Sequence, residues 1–208
     1  MLQQITYDFI TLFVVLDPVG MLAVFIAVTT RLEPLERRKA AILAVLYAFA
    51  VLAFFIAAGE LLLIQMGIPL RAFQIAGGIL LLLYGIEMSL GAHTPGTGLD
   101  DGAGSGLHAL AVYPLAIPAI AGPGAMLTVV LLTDNRLFSI TDQLITTAVL
   151  VVVLAVFLLI LFAASPIMRV IGSGGASVLR RVMGMLLSAI AVKMVLTAVQ
   201  GWLDLPPL

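Results

Sequence analysis

The chain has 208 residues, of which 62% are hydrophobic and 10% charged, with a mean hydropathy of +1.23. A soluble domain so composed has too few polar side chains to cover its surface, so lipid must be part of its solvent. The formal net charge of −1 comes with no basic stripe for nucleic acid, and the absence of cysteine excludes disulfides, thiolate metal sites and cysteine nucleophiles.

Six stretches of the length and apolarity needed to cross a bilayer follow one another, at about 7–28, 41–64, 70–90, 109–132, 144–168 and 180–203. The expectation is an all-α polytopic membrane protein. The first stretch carries Asp8, lacks an early Lys or Arg and runs on without a small-residue cleavage site, so it is expected to be a retained helix rather than a signal peptide. Near its middle lies Asp17-Pro18-Val19-Gly20. A carboxylate at membrane depth costs several kcal/mol unless paired, hydrated or protonated, which makes Asp17 a site candidate. Pro18 has no N–H and Gly20 tolerates unusual backbone angles, so the helix should be interrupted beside the acid. Asp17 also suits plain capping of the half-helix that begins at Pro18, and the two roles are compatible.

In the second stretch, Glu60 is expected to face external headgroups. The third holds Gly77 and Gly78, which fit close helix contact, and ends near Glu87. Residues 93–108 then form a Gly-rich linker, expected in the cytoplasm, between a first unit at 1–92 and a second at 109–208. Its His93, Asp100, Asp101 and His108 match no metal-ligand spacing, so no metal site is read there. The fourth stretch contains Pro114, Pro118 and Pro123, three prolines in ten residues, and cannot be a regular helix. At Gly122-Pro123-Gly124 a half-helix should begin with exposed amides, whose dipoles favour a carboxylate; a kink that only aids packing is the plainer alternative. The sixth stretch carries Gly184 and, within its span, Lys193.

A shift of about 106 residues lays Phe73-Gln-Ile-Ala-Gly-Gly78 on Leu179-Arg-Arg-Val-Met-Gly184, and Glu87 on Lys193. A shift of about 105 lays Asp17-Pro18-Val19-Gly20 on Gly122-Pro123-Gly124-Ala125, so each half has a proline break at a matched place. Three spans per half is an odd number, so consecutive copies must insert in opposite directions. Two inverted three-helix repeats, with helices one and four broken, are the expected architecture. Glu87 and Lys193 can be pictured as an ion pair across the repeat axis, although inversion sets their backbones at different depths. Arg31, Arg37, Arg38, Lys39, Arg169, Arg180 and Arg181 fall on one side and only Arg71 and Arg136 on the other, which places both termini outside the cytoplasm.

These residues, in their order and six-span setting, resemble the MarC-type inner-membrane proteins, the family that includes neutral amino acid transporters of the SnatA type. The resemblance rests on Phe13-Val-Val-Leu-Asp17-Pro18-Val19-Gly20, on Phe73-Gln-Ile-Ala-Gly77-Gly78-Ile-Leu-Leu, and on Pro114-Leu-Ala-Ile-Pro118-Ala-Ile-Ala-Gly122-Pro123-Gly124-Ala125. It implies a multi-pass protein of a bacterial-type inner membrane that takes up or exchanges small neutral amino acids such as Gly and Ala, coupled to protons. The family's first motif usually continues with Asn and, two places on, Pro; Met21 and Ala23 stand there instead, removing a polar side chain beside the expected site.

The expected function is thus secondary transport of a small neutral amino acid or similar solute. Asp17, Pro18, Gly20, Gly122, Pro123 and Gly124 would form the binding site, and Asp17, Glu87 and Lys193 are the coupling candidates. No phosphate-binding loop, catalytic Ser–His–acid set or cofactor motif is present, so the chain does not read as an enzyme. A small-solute channel and a non-transporting structural or regulatory membrane protein are the alternatives. The expected partners are the small-molecule substrate, the proton as coupling ion and membrane lipid, with homo-oligomers compatible with the sequence.

Overall fold

The computed structural model describes residues 2–91, 107–134 and 138–203, which form helices joined by turns without a strand among them. The linker at 93–108 therefore contributes only Leu107 and His108; His93, Asp100, Asp101 and Arg136 lie outside the described residues. Eight helices are labelled here in chain order: α1 (Leu2–Leu16), α2 (Pro18–Thr29), α3 (Pro34–Gln65), α4 (Leu70–Leu90), α5 (Leu107–Leu110), α6 (Pro123–Leu132), α7 (Ile140–Phe162) and α8 (Ala164–Trp202). Between α5 and α6 runs a wide, π-type coil, Ala111–Ile120.

Five helical stretches are long and apolar enough to span a membrane: Leu2–Thr29, Pro34–Gln65, Leu70–Leu90, Ile140–Phe162 and Gly174–Trp202. A sixth is supplied if Leu107–Ile120 and Pro123–Leu132, bent by 60° at their junction, count as one. Five of the six stretches expected from hydropathy are therefore present as helices of spanning length, with shifted ends, and the fourth is present as the bent pair. The largest shift concerns residues 169–179, left between the fifth and sixth stretches, which are helical on both sides of Gly172 and fall within α8. The interruption there is a single residue, Gly172, whose φ of 67° only glycine adopts freely.

Short hydrogen bonds explain where the elements stop. After α3, the Ile68 N–H donates to the Leu63 carbonyl (2.9 Å) and the Gly67 N–H to that of Ile64 (3.0 Å), with Gly67 left-handed at φ 65°. This is a Schellman closure, and it turns the chain straight into α4. Ser139 and Asp142 reciprocally cap α7. At the C-terminal end of α2, Arg37 of α3 donates to the Thr29 carbonyl (3.2 Å) and to Ser165 Oγ (2.9 Å), tying three elements together.

Small residues let α4 and α8 approach closely. A Cβ on Gly85 would lie 2.8 Å from the Gly184 carbonyl oxygen, and one on Gly78 would lie 3.2 Å from that of Ala191. Rising numbers on α4 meet falling numbers on α8, so the two run antiparallel. Without a hydrophobic drive between helices in lipid, such backbone proximity is what holds them together. The core is filled by Leu12, Leu16, Phe25, Leu52, Leu115, Leu127, Phe157 and Leu187, all at most 1% exposed, while Leu, Ile and Val cover the outside.

Candidate functional site

Asp17 sits between α1 and α2 in the left-handed region (φ 47°, ψ 64°), a conformation that Asp tolerates better than most residues but that still stores strain. Its side chain is 3% exposed. The Gly20 N–H donates to Asp17 Oδ1 (3.0 Å), capping α2, while Oδ2 has no hydrogen-bond partner among the described residues. Backbone bonding continues on both sides of the break, from Asp17 N–H to the Phe13 carbonyl (3.2 Å) and from Met21 N–H to the Asp17 carbonyl (3.1 Å). Pro18 occupies the first helical position, as its missing N–H and fixed φ favour. Gly20 serves differently from expectation: its backbone is helical, and its role is space, since a Cβ there would overlap the Asp17 carboxylate.

The second break is wider. Tyr113 and Ile117 are extended within the coil Ala111–Ile120, where the peptide bonds to Pro114 and Pro118 are cis. Gly122 is extended (φ −76°, ψ 170°) and offers no side chain to cap α6. The Met126 N–H reaches the Gly122 carbonyl (3.0 Å), so the N–H groups of Gly124 and Ala125 are the donors that a helix start leaves over, Pro123 having none. Glycine is needed for closeness here too. A Cβ on Gly122 would be 2.7 Å from the Pro118 carbonyl oxygen, and one on Gly124 would be 2.6 Å from Leu81 Cδ1.

A cavity of about 380 Å³ opens at this break. Gly122, Pro123, Gly124 and Ala125 line it, with Pro114 and Pro118 of the coil, Tyr84, Glu87 and Met88 of α4, and Arg180 of α8. Arg180 also lies in a small crevice beside Val19 and Gly20 and interacts electrostatically with Asp17, so it bridges the two breaks. Tyr84 is within electrostatic reach of Asp17, Arg180 and Glu87. The structure thus gathers a guanidinium, a carboxylate, a phenol and two helix-start amides around one small space, with the Asp17 carboxylate within electrostatic reach of Arg180 at the other break. That set suits a zwitterion, with the carboxylate end drawn to Arg180 and the amides and the ammonium end to the acids.

Of the residues singled out from sequence, Gly122, Pro123, Gly124 and Glu87 line this cavity, and Asp17, Pro18 and Gly20 lie behind it at the first break. Lys193 does not join them. Its ammonium stands 5.1 Å from the centre of the Tyr7 ring, and it lines a separate cavity of about 810 Å³ with Arg71, Gln74, Asp134 and Trp202. Glu87 and Lys193 therefore open on different spaces. Met21, at the position where a polar residue was expected, is buried in the core at 4% exposure.

Arg180 and Tyr84 were missed by sequence reasoning. Arg180 was counted as a loop charge at the end of a span; the one available signal was its alignment with Gln74, a polar residue at the equivalent point of the other half. Another buried acid, Asp8, accepts a hydrogen bond from Thr146 Oγ1 (2.7 Å), which joins α1 to α7 away from the breaks. Among the described residues, no cluster of His, Asp and Glu could hold a metal ion.

Comparison with known proteins agrees with this architecture. A membrane protein of Methanocaldococcus jannaschii is 35% identical over 201 residues, 96% of this chain and 98% of that one. A membrane protein of Archaeoglobus fulgidus is 33% identical over 190 residues, 90% of this chain and 88% of that one. The inner membrane protein YhgN of Escherichia coli K12 is 30% identical over 202 residues, 97% of this chain and 99% of its own. No solved structure matches. The description "MarC family integral membrane protein" matches residues 2–203, nearly the whole chain. The chain belongs to the MarC family of integral membrane proteins.

Proposed function

We propose that this protein is a secondary transporter of small neutral amino acids or similar zwitterions, coupled to protons and located in a bacterial-type inner membrane, as the name of the relative YhgN suggests for that protein. The observation that carries this reading is the cavity at the second break, which the start of α6 lines together with Arg180, Tyr84 and Glu87, Arg180 also interacting electrostatically with Asp17. Broken helices that meet beside a polar pocket are how transporters place substrate groups against backbone dipoles. In this reading the α6 amides and Arg180 hold the carboxylate, and Asp17 holds the ammonium or the coupling proton.

The packing supports an inverted-repeat reading of 2–91 and 107–203. The contacts of Gly85 with Gly184 and of Gly78 with Ala191 exchange with one another under the shift of about 106 residues. The same exchange turns the α1–α7 contact into that of α3 with the Ala111–Ile120 coil, α2–α8 into α4–α6, and α2–α7 into α3–α6, and every one of these pairs is packed. Both termini then face away from the cytoplasm, the side that Arg37, Arg38 and Lys39 occupy.

The test is uptake into proteoliposomes under an imposed pH gradient, with alanine and glycine as solutes. The expected result is saturable uptake and counterflow in the native protein, and loss of gradient-driven uptake in Asp17→Asn, a substitution that keeps a residue tolerant of the left-handed backbone. Full gradient-driven uptake by Asp17→Asn sinks the role of Asp17. Flux that never saturates makes the protein a channel.

A further inference from the structure

We propose that the cavity of about 810 Å³ around Lys193 is a second mouth of the same path, on the opposite membrane face, and that Lys193 and Arg71 make it select for carboxylate-bearing small solutes. The proposal deepens the transport reading and takes its purpose from it.

The first ground is correspondence. Under the shift of about 106 residues, Tyr84, Glu87 and Met88 of the break cavity fall on Ile190, Lys193 and Met194, all of which line the larger one. Arg180 falls on Gln74, which lines it as well. The two cavities are thus built from equivalent surfaces of α4 and α8, which run antiparallel, so equivalent places lie towards opposite ends of the bundle.

The second ground is the thinness of what divides them. Along α6 the break cavity reaches Ala125 and the larger cavity begins at Thr128. Three residues of helix rise only about 4.5 Å. Leu127, fully buried, fills the interval with its side chain against Gly77 of α4. A divider of one leucine side chain packed on a glycine is a place where small helix shifts would join one space to the other.

The third ground is charge. Among the described residues, the larger cavity carries Arg71 and Lys193 against Asp134, an excess of one positive charge, whereas the break cavity carries Arg180 against Glu87. Low-dielectric walls focus such a field and raise the local concentration of oppositely charged solutes. The Lys193 ammonium stands over the Tyr7 ring, and both residues line this cavity.

The chain has no cysteine, so single cysteines report without background. Thr197→Cys in the larger cavity and Ala119→Cys in the break cavity are made separately and reacted in sealed, oriented vesicles. The reagents are two membrane-impermeant methanethiosulfonates, one with a sulfonate and one with a quaternary ammonium. The expected result is reaction from opposite faces. At Thr197→Cys the sulfonate reagent should be favoured by roughly tenfold over its ratio on a free thiol. That preference should fall to roughly threefold or less when Lys193→Gln or Arg71→Gln is added, and persist with Lys193→Arg. Reaction of both cysteines from the same face, of either from both faces, failure of Thr197→Cys to react, or a sulfonate preference indifferent to Lys193 and Arg71 would each overturn the proposal. The readout needs no uptake. Opposite-face labelling with the stated preference in a protein that does not transport would defeat the functional reading and leave the two-mouthed geometry standing.

Discussion

The breaks at Asp17-Pro18 and Gly122-Pro123 both set proline at the first position of a helix, yet they leave different chemistry behind. At the first, the chain supplies its own acceptor: Asp17 takes the Gly20 N–H, and backbone bonding resumes within a turn on either side. At the second, the residue before proline has no side chain, the preceding coil is twice extended, and the axis bends by 60°. The first break ends with a buried carboxylate oxygen to spare and the second with two amides. One presents an acceptor and the other donors, although both start a half-helix at proline.

The comparison is broken most severely by Asp17→Ala. It removes the cap, worth about 1 kcal/mol, and leaves a β-carbon residue in the left-handed region without local compensation, a further 1–2 kcal/mol or so. Thermal unfolding in detergent should show a loss of about 2–3 kcal/mol, against less than about 1 kcal/mol for Asp17→Asn. Equal losses for the two would mean that the carboxylate, and not the cap geometry, holds the break. Gly122→Ala comes next. Its new methyl meets the Pro118 carbonyl, a backbone atom that cannot swing aside, and should cost about 1–3 kcal/mol by the same assay.

Thr146→Val tests whether burial alone makes an acid resemble Asp17. Asp8 loses the hydroxyl on its Oδ2, and a cost of about 1–2 kcal/mol is expected with gradient-driven uptake retained. Loss of uptake without loss of stability would bring Asp8 into the transport path. The smallest stability change, below about 1 kcal/mol, is expected for Gly124→Ala, because the end of the Leu81 side chain can move. That methyl nevertheless enters the break cavity. Stabilisation of the detergent-solubilised protein by alanine should weaken, and undiminished stabilisation would place the solute elsewhere.

Much of this was legible from the chain alone because membrane spans announce themselves by length and apolarity, and prolines within them by the hydrogen bonds they cannot make. Asp17, Gly122, Pro123 and Gly124 stand out for that reason. Arg180 did not, since a basic residue at the edge of an apolar run looks the same whether it faces headgroups or turns back along α8 into a cavity. Residues 169–179, left between two spans, are helical on both sides of Gly172 for a related reason: polarity ends a span in a hydropathy profile but need not end a helix. The role of Gly20 was also mistaken, because a sequence shows that a glycine is present but not whether it provides freedom or room.

The sequence by itself determined the solvent of this protein, its helical spans, the places where two helical stretches break and the family to which it belongs. These follow from residue type and order, because backbone groups in lipid must be satisfied locally and proline cannot satisfy its own. Only the tertiary structure decided which charges share a space. It brought Arg180 to Asp17, put Glu87 and Lys193 in separate cavities, and set Leu127 against Gly77 between them. Those outcomes depend on how closely α4, α6 and α8 can approach, which is settled by small residues meeting across helices that no local pattern can pair.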